Sequence, residues 1–132
     1  MTKLLLPWLA LVVVMMALDA FWIGGVARPL YQRGLGHLMA PQPNFVAAIA
    51  FYLLYAVGVM AFVVVPHGAD GWASAAGWGA ALGLLAYMTW DLTNMAVLRD
   101  WPLALSFVDM AWGTFATALA SAVAALVAAR LA

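Results

Sequence analysis

Apolar residues fall into four long runs, separated by short segments rich in proline, glycine and charge. The first runs from about Leu4 to Ala27 and is ended by Arg28-Pro29. Pro7 lies in its first turn, where a missing N–H costs little. The second runs from about Phe45 to Val65. Asn44 is a good N-cap behind Pro41 and Pro43, and Pro66 is expected to close the helix. The third covers about Trp72 to Leu98. The fourth covers about Leu103 to Ala129 and is entered through Pro102. A bilayer crossing needs roughly 20 mostly apolar residues, which all four runs supply. They lack the strict alternation of a membrane barrel. Lipid cannot satisfy open backbone, which leaves helices. The pattern predicts an all-α, polytopic membrane protein whose four transmembrane helices form an antiparallel bundle, residues 1–132 making a single four-span membrane domain.

The first run resembles a signal peptide at its start, with Lys3 ahead of an apolar stretch. Leu18 and Asp19 interrupt any small-x-small cleavage site, so it is read as a true span. Two connections, Pro66 to Gly71 and Arg99 to Pro102, are short and imply antiparallel neighbours. The first connection, Arg28 to Asn44, is longer. Its Tyr31, Leu35, Leu38 and Met39 fall at i, i+4, i+7 and i+8, the spacing of a short amphipathic helix in the membrane interface. Gly34 and Gly36 argue equally for an irregular loop. Arg28, Arg33 and Arg99 on one side face Lys3 and Arg130 on the other, a slight bias for placing the first and third loops in the cytoplasm.

Composition removes other classes. Of 132 residues, 69% are hydrophobic and 8% charged, against about 25% charged in soluble domains. Disordered chains and nucleic-acid binders need more charge. Five basic residues balance five Asp, there is no Glu, and no Cys is present for disulfides, thiolate metal sites or a thiol nucleophile.

Small residues recur at helical spacing. The third run has Ala75, Gly79 and Gly83. The fourth has Gly113, Thr117, Ser121 and Ala125 on one line, and Ala116, Ala120, Ala124 and Ala128 on the next. Such stripes let helices approach closely in lipid, and packing within the bundle is the expected use rather than a dimer face.

Three charges lie inside the apolar runs. Asp19 is nine residues before Arg28, Asp91 eight before Arg99, and Asp109 seven after Pro102. At about 1.5 Å per residue, each sits roughly 10–13 Å from the same membrane surface. Charge at membrane depth is costly and points to function. Carboxylates gathered at one level repel and are expected to share a proton. Asn94 follows Asp91 by three and shares its face, Tyr87 precedes it by four, and Ser106 precedes Asp109 by three. Tyr52 and Tyr55 reach the same level from the second run. Trp22 and Trp112 each follow an Asp by three, and Trp90 adjoins Asp91; an indole can wall a site and donate its N–H to a carboxylate. Arg28 and Arg99 either anchor at the interface or reach inward to Asp19 and Asp109. Trp8, Trp72 and Trp101 fit an interfacial belt, and His37 and His67 fit solvated loops. The candidate ligand-binding set is therefore Asp19, Trp22, Tyr52, Tyr55, Tyr87, Trp90, Asp91, Asn94, Asp109, Trp112, Arg28 and Arg99. Asp19, Asp91 and Asp109 are the candidate ligands for a hard metal cation. The plainer alternative for each Asp is protonation and a structural hydrogen bond to a neighbouring helix. No catalytic residue and no cofactor is identified.

The blocks Asp19-Ala20-Phe21-Trp22, Trp90-Asp91-Leu92-Thr93-Asn94, Arg99-Asp100-Trp101-Pro102-Leu103 and Val108-Asp109-Met110-Ala111-Trp112-Gly113 resemble those of the bacterial DUF2177 family of small predicted membrane proteins. The resemblance covers the whole chain. It implies a multi-pass protein of the bacterial inner membrane, names no reaction, and hints towards fatty-acid modification. Three functions remain open: a carboxylate pocket for a small ligand, proton, cation or lipid; a small enzyme acting on lipid or fatty acid; or an accessory subunit of a larger membrane complex, with self-association a further option. The lipid bilayer is the expected partner, and nucleic acid is not.

Overall fold

The computed structural model describes residues 1–132 and contains only helices and their connections. α1 spans Thr2–Phe21 and continues as one π turn, Trp22–Val26. α2 is Arg28–Leu35. α3 spans Phe45–Val59, continues through a second π turn, Met60–Val64, and ends in the single turn α4, Val65–His67. α5 is Trp72–Val97 and α6 is Leu103–Leu131. Three continuous segments, Thr2–Val26, Phe45–Asp70 and Leu103–Leu131, are long and apolar enough to cross a membrane. α5 is long enough at 26 residues, but Gly77, Gly79, Gly83, three Trp and several hydroxyl residues make it less apolar than the others.

The ends follow the local chemistry. The Asn44 side chain accepts from the Ala47 N–H at 3.1 Å and starts α3. Pro66 does not stop the chain where expected. The π turn before it shifts the backbone bonding, with the Val65 N–H on the Met60 carbonyl, so that Pro66 falls in the first turn of α4, where no N–H is required. The helix then runs on to Asp70. His67, expected to be solvated, instead stacks on Trp78 at 4.3 Å and ties that end to α5. The first connection begins as the helix α2 but leaves it at Leu35, so Tyr31 and Leu35 of the expected stripe are helical while Leu38 and Met39 lie in the turn and loop beyond. Leu35 is its buried residue, and Gly34 passes so close to Pro102 and Leu105 that a Cβ there would meet them at 3.0–3.1 Å.

The centre is a seam between α5 and α6. A Cβ at Gly79 would strike Ser121 and the Thr117 carbonyl, and one at Gly83 would strike the Gly113 carbonyl and Thr117. Ala75, Ala116, Ala120 and Ala124 are fully buried along the same line. Small residues thus perform the expected role of close packing inside the bundle. α1 and α3 add Leu11, Met15, Val59 and Val63 to this core. The Trp8 indole, expected at the interface, donates to the Leu53 carbonyl at 3.3 Å and links α1 to α3. Many large apolar side chains, including Leu54, Phe62, Val97 and Phe115, point outward, as lipid contact requires.

Candidate functional site

The three carboxylates carried by the long helices are buried at the end of the bundle nearest α2: Asp19 and Asp109 are each 6% exposed and Asp91 is 1% exposed. Their environments differ. Asp19, one residue-turn before the π segment of α1, accepts from the Tyr52 phenol at 2.7 Å and from the Trp112 indole at 2.8 Å. One carboxylate thereby joins α1, α3 and α6. Asp109 accepts from the Tyr31 phenol on α2. Burial first, and then the neighbouring Asp109, hold the Tyr31 phenol above the ordinary tyrosine range, which keeps it a donor. Asp91 lies beside Asp109 and Ser106, yet neither of its oxygens has a hydrogen-bond donor.

Aromatic rings fix these positions. Trp22 and Trp112 stack face to face, 4.5 Å apart and 5° from parallel. Trp112 spends its N–H on Asp19, whereas the buried Trp22 N–H has no partner. The Tyr87 ring occupies the space that a Cβ at Gly113 would need, so glycine at 113 is what admits the ring between α5 and α6. Tyr87 lies within electrostatic reach of both Asp19 and Asp109. Between the carboxylates is a cleft of about 380 Å³, lined by Asp19, Tyr31, Tyr52, Tyr87 and Asp109 on its polar side. Ile23, Phe51 and Trp90 form its apolar rim and are each about half exposed (48%, 45% and 46%).

The candidate residues separate into those gathered here and those elsewhere. Asp19, Tyr52, Tyr87, Trp90 and Asp109 line the cleft. Trp22 and Trp112 stand behind it as a stacked pair, and Asp91 lies behind Asp109. Tyr55 is deeper in the seam and shares a 2.8 Å hydrogen bond with Thr117. Asn94 falls in a separate groove with Leu35, Leu38, Trp90 and Trp101. Arg28 lines another groove with Gln32 and Met39, and Arg99 is exposed, so neither reaches a carboxylate. No group of three metal-ligating side chains is assembled: Asp19 is engaged by Tyr52 and Trp112, away from the Asp91–Asp109 pair. Tyr31 is the site residue that the candidate set lacks. Its signal was its place at the head of the i, i+4 stripe in the first connection, on the carboxylate side.

No curated protein and no solved structure matches the chain. Residues 4–126 match the family described as predicted membrane protein, DUF2177, and with nearly the whole chain covered, the protein belongs to that family.

Proposed function

We propose that this membrane protein crosses the bilayer four times and binds a small amphiphile in the cleft between Asp19 and Asp109. The fourth crossing is α5. α3 begins beside Asp19, through Tyr52, while α6 begins at the same end, near Asp109. α3 therefore finishes at the opposite end from the start of α6, and α5 has to travel between them. At about 1.5 Å per residue its 26 residues cover about 39 Å, more than the roughly 30 Å hydrocarbon core.

The observation that carries the binding reading is the cleft's division into two kinds of surface. Two carboxylates and three phenols face a half-exposed apolar rim. Pockets that take small ligands are mostly apolar, with a few converging polar groups, and begin at about 300 Å³. The polar part of the ligand is one that donates hydrogen bonds, an amine or hydroxyl head, because the carboxylates are acceptors. Its apolar part rests on Ile23, Phe51 and Trp90 at the lipid boundary. A volume of about 380 Å³ takes a head group and the start of a chain rather than a whole phospholipid.

Native mass spectrometry of the protein released from its own membrane tests this. The wild type is expected to carry a small adduct that both Asp19→Asn and Asp109→Asn lose. An adduct-free wild type, or one whose adduct survives both substitutions, contradicts the reading.

A further inference from the structure

Asp109 lines the cleft and Asp91 does not; the second carboxyl is sealed behind the first. Asp91 is 1% exposed with two oxygens that accept nothing. Ser106 beside it gives its hydroxyl proton to the Pro102 carbonyl at 3.0 Å, while its oxygen accepts from the Trp101 indole at 2.8 Å. Asp109 is supplied from α2 by Tyr31 alone. Tyr87 on α5, Tyr52 and Tyr55 on α3 and Asp19 on α1 are the other titratable groups within reach at this end. Arg28, Arg33 and Arg99 are exposed and bring no compensating charge.

Two carboxylates facing each other away from water cannot both stay ionised, and a buried carboxylate without a donor is costly. A single proton removes both difficulties. It turns one Asp91 oxygen into a donor and leaves Asp109 as the acceptor. We infer that Asp91 and Asp109 together hold one proton, which makes the pair a proton-binding site within the helical bundle. Tyr31 then donates to Asp109 from one side and Asp91 from the other. A ligand that donates to Asp109 from the cleft competes with that proton for the same carboxylate; this consequence rests on the cleft reading, while the shared proton does not.

Infrared spectroscopy in an ester-free detergent reads the site directly. At neutral pH the wild type is expected to show the carbonyl stretch of a protonated carboxylic acid, shifted in D₂O. Asp91→Asn should lose the band and Asp19→Asn should keep it. A wild type without the band overturns the proposal whatever the variants do, and so does a band lost in Asp19→Asn but kept in a folded Asp91→Asn. If Asp91→Asn fails to fold, the wild type and Asp19→Asn still decide. A band with no native adduct would retain the proton site and discard the cleft reading.

Discussion

α6 uses two unlike surfaces along one helix. From Leu105 to Gly113 it meets its neighbours through Ser106, Asp109 and Trp112, whose polar atoms are bonded to α1, α2 and the connection before α6, or face Asp91. From Ala116 to Ala125 it meets them through alanine, with Thr117 and Ser121 fitted against the glycines of α5. The alanine half is closed by near contact of the helices, with one side-chain hydrogen bond, Tyr55 to Thr117, reaching into it. The carboxylate half holds its helices apart with Tyr87, Trp22 and Trp112 and leaves a cleft. Close packing at one end thus supports an opening at the other, and the division of labour places rigidity and chemistry on the same helix.

Disrupting the seam is expected to do the greatest damage. A side chain at Gly83 has nowhere to go but the α6 backbone, so Gly83→Leu should destabilise the bundle by about 3 kcal/mol, read as unfolding by helical circular dichroism in mixed micelles. The carboxylate end comes next. Asp19→Ala strands the Tyr52 hydroxyl and Trp112 N–H and should destabilise by roughly 1–3 kcal/mol, whereas Asp19→Asn, which keeps one acceptor, should lose less. Tyr31→Phe removes one tie from α2 to α6. It should destabilise by about 1 kcal/mol, with hydrogen exchange accelerated in α2 and unchanged at Ala116–Ala125. Smallest of all should be Ser121→Ala. Its buried hydroxyl has no partner, so the seam should keep its stability within about 0.5 kcal/mol. A large loss there would mean that polarity matters in both halves, and the contrast would fail.

Much of this architecture is legible in the sequence because lipid imposes a length and an apolar pattern that no other element satisfies. The start of α3 at Asn44 follows capping chemistry, the start of α6 at Pro102 follows from proline's fixed backbone, and the small-residue stripes have one strong physical use. That Asp19, Asp91 and Asp109 fall at one end of the bundle also follows from counting, since rise per residue is constant. What counting does not supply is rotation and partner. Asn94 shares a face with Asp91 by spacing, yet one turn further along it belongs to the groove under α2. Tyr55 is one turn from Tyr52, yet it bonds Thr117. The π turn that carries the chain past Pro66 has no periodic signature. Tyr31 reaches Asp109 across 78 positions of sequence, a pairing that only the folded chain brings about.

The cleft between Asp19 and Asp109 is proposed to hold a ligand. An experimental density map of the protein in a lipid nanodisc tests it most directly. Non-protein density is expected to touch both carboxylates and pass out over Ile23, Phe51 and Trp90. A cleft closed by Tyr87 and Trp90, or one that contains only water, would contradict it.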